Sequence, residues 1–286
     1  MTRGRGARAV PILEREVPGW LSGLLVAGTF AACVWLERRR PLRRPTRPRG
    51  RRIARNLAVA TLSATAIRIA EKPVTAPLAR RAARLRAGLV PRLGLPPWLE
   101  VAMAAVLLDY TLWVWHVLTH RVPLLWRFHR VHHSDLDLDA STALRFHAVE
   151  MVLSVPWRAA QIAVVGAAPL SLSVWQTLTL LAILFHHSNV ALPADLERRL
   201  CRVVMTPRLH GIHHSIVRAE RDSNWATILA WPDRLHGTAR LDVPQAAITI
   251  GVPEYRRPRG LTLPALLAMP FGGQRPPSRL PGGLFV

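Results

Sequence analysis

Apolar residues in this chain come in long blocks separated by basic, proline-rich stretches. That pattern predicts helices crossing a membrane. Residues 17–36 supply the twenty positions a crossing needs, and Trp20 and Trp35 bracket them about 22 Å apart on a helix, as interfacial anchors do. Glu37 and a run of arginines follow instead of a small-residue cleavage site, so an uncleaved anchor is expected. The loop 38–52, with Pro41, Pro45 and Pro48, is expected outside helix and too charged to be buried. Residues 56–70 form a weaker apolar stretch carrying Arg68, read as a second span with a snorkelling arginine in preference to an interfacial helix. The basic stretch 76–97 reads as an amphipathic surface segment. Residues 98–118 are a third long block, interrupted by Glu100, Asp109 and His116. Residues 148–170 and 171–190 predict a hairpin whose return leg ends at His186, His187, Ser188 and Asn189. Beyond Ala191 no block is long enough to cross, and residues 261–271 are expected to rest on the interface and help cover a lipid entrance.

The expected fold is therefore all-α: an integral-membrane helical bundle of about four to five membrane helices with a cytosolic histidine-rich helical cap. Its expected parts are an anchor helix with a basic loop (1–55), a membrane domain carrying the histidines (56–240) and an interfacial tail (241–286). Composition sharpens this. Half of the 286 residues are apolar although the net charge is +22. Ten arginines fall between positions 38 and 55, directly after an apolar block, where the positive-inside rule puts cytoplasmic charge. That placement argues for membrane topology and against nucleic acid as the partner. Cys33 and Cys201 lack metal-ligand spacing, and no disulfide framework is expected.

Chemistry concentrates in histidine. Residues 116–133 hold five of the twelve histidines. His116 and His120 are four apart, on one helical face, and His129, His132 and His133 follow at spacings of three and four, so two separate clamps are expected. His210, His213 and His214 repeat the H-x-x-H-H spacing. Neutral imidazole suits zinc, copper, iron or nickel, and eight histidines exceed one ordinary coordination sphere, so two metals are expected. The hairpin brings His187 back to the same membrane face. Asp109, two turns before His116, is read either as orienting a ligand histidine or as a helix–helix polar contact. The alternating acids Asp135, Asp137 and Asp139 are read as a solvated loop outside the site.

These residues, taken from about Arg51 onward, resemble the fatty acid hydroxylase and sterol desaturase superfamily of integral-membrane di-iron enzymes. Asp109-Tyr110 leading into His116-x3-His120 looks like its first box, His129-x2-His132-His133-Ser134 like its second and His210-x2-His213-His214-Ser215 like its third. The likeness continues through Arg145-x-His147-x2-Glu150, His187-Ser188-Asn189, Asp222-Ser223-Asn224-Trp225 and Trp231-x-Asp233-Arg234-Leu235-x-Gly237-Thr238. The resemblance implies that His116, His120, His129, His132, His133, His187, His210, His213 and His214 hold two non-haem irons. Asp109, His147, Glu150, Asn189 and Asn224 are then expected around them, with His147 read as a ligand or as a hydrogen-bonded partner of Glu150. His186 and His236 depart from the family pattern and are expected to be neighbours of the site. The implied reaction uses dioxygen as co-substrate and oxidises an unactivated C–H bond of a membrane lipid. No flavin, dinucleotide or haem motif is visible, so electrons are expected from a separate reductase or electron-transfer protein. No motif sets an oligomeric state.

Lipid hydroxylation is the leading expectation and desaturation on the same site its runner-up. A transition-metal transporter is disfavoured because its ligands would continue through the membrane. A zinc hydrolase lacks H-E-x-x-H.

Overall fold

The computed structural model describes residues 11–273, and among these the regular structure is helical apart from three isolated bridges. The first half comprises α1 (Gly19–Arg39), α2 (Arg49–Ala66), α3 (Lys72–Leu85), α4 (Pro97–Arg121) and α5 (Pro123–His133). Next come α6 (Ala148–Leu153), α7 (Val155–Val165) and α8 (Pro169–His187). The short helices α9 (Ala194–Leu200), α10 (Pro207–His213), α11 (Arg218–Arg221), α12 (Trp231–Leu235) and α13 (Leu263–Ala268) complete the chain. Prolines open α4, α5, α8 and α10, where the missing N–H costs nothing.

Four helices are long and apolar enough to cross a membrane: Gly19–Arg39, Pro97–Arg121, Ala148–Val165 and Pro169–His187. The protein is accordingly an integral-membrane helical bundle. Large apolar side chains such as Trp20, Leu24, Trp35 and Val164 point outward, as lipid-facing residues do. The expected span at 56–70 is not among the four. It lies inside one helix that continues from α2 through a π-turn (Ile67–Glu71) into α3. This helix still travels the depth of the bundle. Its first turns meet Asp135 at the histidine end, and the residues after it meet Val164, Val165 and Glu100 at the other.

That far end depends on two glycines. Gly88 and Gly166, at φ 107° and 77°, face one another so closely that a Cβ on either would strike backbone. Their contact lets Leu89 and Val90 donate to Val164 and Val165. At the histidine end, two sequence expectations are overturned. The acidic stretch 135–139 is buried, not solvated, and Arg52 of the supposedly unburiable loop is only 4 % exposed. Each charge is buried because it is paired or hydrogen-bonded, Asp137 by the Thr46 amide and hydroxyl and the Arg47 amide. Arg52 binds Asp135 and Asp139, Arg145 lies 3.6 Å from Asp135, and Asn56 donates to Asp135. Residues 261–271 also do more than rest on an interface. Leu261, Leu266 and Met269 are core, packed with Val59 and Val131, and Arg130 donates to the Met269 carbonyl behind α5.

Candidate metal centre

Four helices deliver the histidines to one place: the C-terminal parts of α4, α5 and α8, and α10 with the residue that follows it. They sort into two groups. His116, His120, His129, His133 and His213 form one, and His132, His187, His210 and His214 the other, with the ligand atoms of each group within 4.8 Å of one another. All nine sequence-named histidines are thus brought together, but not as one clamp per motif. On a helix, i and i+4 share a face while i+3 and i+4 diverge by about 100°. Each H-x-x-H-H run therefore straddles both groups.

The backs of several rings are held so that the other nitrogen faces inward. A carbonyl only accepts, so the ring nitrogen that meets it carries the proton. His116 Nδ1 donates to Trp225 O at 2.7 Å, His187 Nδ1 to Ile183 O at 2.8 Å and His213 Nδ1 to Ser223 O at 2.8 Å. His129 Nδ1 donates to the Glu150 carboxylate at 2.7 Å. In each case Nε2 is left as a lone pair.

In the four-histidine group, His187 Nε2 lies 3.0 Å from both His132 Nε2 and His210 Nε2, and His210 Nε2 lies 3.1 Å from His214 Nε2. Adjacent nitrogens at right angles on an ion with bonds of about 2.1 Å sit about 3.0 Å apart, so the spacing suits a first-row divalent metal. In the five-histidine group, both nitrogens of His120 and His133 and the Nε2 atoms of His129 and His213 are buried without a partner. Leaving such atoms unsatisfied costs about 1–3 kcal/mol each, and a cation amid the lone pairs would satisfy the inward-facing ones. Burial, reinforced by neighbouring imidazoles, holds His132, His133, His210, His213 and His214 well below the usual imidazole range. They are therefore neutral and able to ligate at physiological pH. The residues fit two metal ions.

The expected outer residues separate. Glu150 orients His129, as a carboxylate behind a ligand histidine does. Asp109 does not touch His116. Its oxygens accept from the Ile228 and Leu229 amides at 3.2 and 3.0 Å, fixing the loop whose Trp225 carbonyl holds His116. His147 caps α6 through Val149 N and reaches Leu267 O, so both its nitrogens are occupied and it pairs with neither a metal group nor Glu150. Asn189 pairs through both side-chain atoms with the backbone of Arg43. Asn224, at φ 52°, bridges Leu209 and Arg240. Both asparagines brace the shell rather than face the histidine groups. His186 donates to Thr227 O beside His210, and His236 meets the Tyr110 hydroxyl and stacks on Trp113, so both lie next to the groups and outside them.

Sequence reasoning missed the loop that aims the rings. Asp233 accepts from the Trp113 indole, the Trp225 and Ala226 amides and the Thr238 hydroxyl, holding residues 223–238 beneath the histidines. Its motif was visible, but its partners are 5 to 120 residues away. On the bundle side, a cavity of ≈ 270 Å³ opens onto His116, His129, His132, His187 and His210. Its remaining wall is largely apolar, with Ala60, Leu112, Trp115, Leu144, Phe146 and Ile183 among its residues.

Comparison with known proteins agrees with this geometry. Residues 101–238 match the family model for fatty acid hydroxylase, a narrower stretch than the likeness from about Arg51. The ornithine lipid hydroxylase OlsE of Rhizobium tropici is 32% identical over 161 residues, covering 55% of this chain and 46% of that protein. A cholesterol 25-hydroxylase-like protein of Danio rerio is 29% identical, covering 50% and 56%, and the alkylglycerol monooxygenase of Homo sapiens is 29% identical, covering 46% and 28%. The chain thus spans about half the length, or less, of the curated relatives it matches. No solved structure matches. The matched stretch, residues 101–238, contains every histidine of both groups, so the histidine-bearing part of the chain is similar to the fatty acid hydroxylase family.

Proposed function

We propose that the protein is an iron- and dioxygen-dependent membrane oxidoreductase that hydroxylates an unactivated C–H bond of a lipid. The observation that carries this reading is an apolar cavity that reaches both histidine groups from inside the membrane bundle. His116, His120, His129, His133 and His213 would hold one iron, and His132, His187, His210 and His214 the other. When bound, the two irons supply the reductive activation of dioxygen that breaks a C–H bond. The chain's own residues do the rest. Leu112, Trp115, Leu144, Phe146 and Ile183 exclude water and hold an acyl or sterol-like body beside the histidines. Glu150 keeps the proton on His129 Nδ1, leaving Nε2 free to ligate.

The relatives named ornithine lipid hydroxylase and cholesterol 25-hydroxylase-like protein support a lipid substrate. The histidine face also carries the arginine-rich loop, since Arg43 meets Asn189 and Arg52 meets Asp135. By the positive-inside rule that face is cytoplasmic, where a separate reductase or electron-transfer protein reaches it.

The test is metal content and oxygen uptake on anaerobically purified, solubilised protein, with His132→Ala as control. About two irons per chain and reductant-driven oxygen uptake, abolished by the substitution, are expected. Stoichiometric zinc with no oxygen uptake after iron reconstitution overturns the proposal.

A further inference from the structure

The cavity that reaches the histidines adjoins another. Ile67, Met151, Arg158, Thr179 and Leu180 line it and also a second cavity of ≈ 340 Å³, which runs on past Glu71, Trp175, Gln176 and Ser173 towards the opposite end of the bundle. Arg158 stands at the junction, inside a membrane-spanning helix. Its guanidinium lies over the Trp175 ring at 5.0 Å, its Nη1 reaches Gln161 Oε1 at 3.5 Å, and its Nε is buried with no partner. The buried carboxylate of Glu71 provides the opposing charge, yet no direct ion pair joins the two among the described residues. Opposite charges at bilayer depth are costly unless closely paired or bridged. A pair left open beside a ligand-sized cavity invites a third group.

The backbone adds an independent sign. Ile67–Glu71 is one π-turn within an otherwise α-helical run, and such wide turns recur at functional sites. Here Ile67 lines both cavities, while Glu71 lines the second beside Arg158.

We propose that Arg158 and Glu71 form a polar anchor for the uncharged hydroxyl end of an amphiphile whose apolar body lies along the first cavity. Charge selects the hydroxyl. Glu16 and Lys72, which also line the second cavity, carry opposite charges, and the Arg158–Glu71 pair is itself neutral overall; a hydroxyl accepts from Arg158 while donating to Glu71, so both are satisfied without a net charge. A carboxylate or phosphate would leave a net negative charge in an apolar interior. The anchor also sets position. Thr179, at the junction, and His187, in the four-histidine group, are eight residues apart on α8, about 12 Å along the helix. The carbon presented to the histidines therefore lies about that far from the hydroxyl. This deepens the proposed hydroxylase and rests on it for the identity of the reaction, while the anchor itself is a binding property.

The test is equilibrium binding of radiolabelled hexadecanol, hexadecane and hexadecanoate to full-length, metal-loaded protein in lipid nanodiscs, kept anaerobic and without reductant and corrected against empty nanodiscs. Wild type should bind the alcohol at least about tenfold more tightly than the alkane or the carboxylate. Glu71→Met/Arg158→Met removes both charges together and strands neither; alcohol binding should fall to the alkane level with alkane binding unchanged. Arg158→Lys, which keeps the charge, should retain part of the preference. Equal binding of alcohol and alkane by wild type, a preference that survives the double substitution, or tighter binding of hexadecanoate each overturns the anchor. Alcohol selectivity without reductant-driven oxygen uptake rejects the hydroxylase reading alone, whereas oxygen uptake without alcohol selectivity rejects the anchor alone.

Discussion

Helices α5 and α10 carry the same H-x-x-H-H spacing and deal their histidines in opposite directions. In α5, the first and last, His129 and His133, enter the five-histidine group, and His132 enters the other. In α10 the first and last, His210 and His214, enter the four-histidine group, and His213 crosses over. Spacing alone makes a helix present two directions. The orientation of each helix against its neighbours decides which direction serves which group. The two also differ in what stands behind a ligand that each gives to the five-histidine group. His129 is backed by a side chain, Glu150, while His213 is backed by a backbone carbonyl, that of Ser223.

The largest expected effects break the exchange itself. His210→Ala leaves its group three donors and is expected to remove one metal equivalent per chain. His133→Ala leaves four donors and should lower metal occupancy less. Elemental analysis of both variants, after reconstitution with limiting metal, separates them, and equal losses would mean the grouping is wrong. A difference in backing is expected next. Glu150→Gln should weaken metal binding about 10–100-fold, the usual cost of losing an outer carboxylate partner. Ser223→Ala keeps the carbonyl and should leave metal affinity unchanged, as competition with a chelator would show.

A smaller effect lies in the loop after α5. Burial alone would raise the Asp135 carboxyl, but Arg52, Arg145 and Asn56 outweigh it and hold the group down to about 2. A folded value below the unfolded one, about 3.9, stabilises the fold above the unfolded value and loses that stability as pH falls through the folded one. Asp135→Asn should therefore destabilise by about 2–3 kcal/mol at pH 7, with the gap to wild type closing between about pH 4 and pH 2. Denaturant unfolding of both proteins across that range checks the sign. The smallest change is expected from Arg198→Ala in α9. Its pair with Asp195 is exposed, and surface pairs of this kind contribute about 0–1 kcal/mol.

Charge patterns proved harder to read than apolar ones. Loop 38–52 and the acids at 135–139 each look solvated alone, because a sequence window contains only one partner of a pair separated by more than eighty residues. Brought together, Arg52, Asp135 and Asp139 become interior. Asp109 went astray similarly: its spacing to His116 is correct for one helical face, but two loop amides some 120 residues away claim its carboxylate.

The sequence by itself determined the helical membrane bundle, four of its crossings and the identity of the nine clustered histidines, since these follow from block length and helical periodicity, which are local properties. Only the tertiary structure decided how the histidines divide, which carbonyls and carboxylates aim them, and which arginine meets the cavity. Those are contacts between segments, and their geometry exists only once the helices have packed.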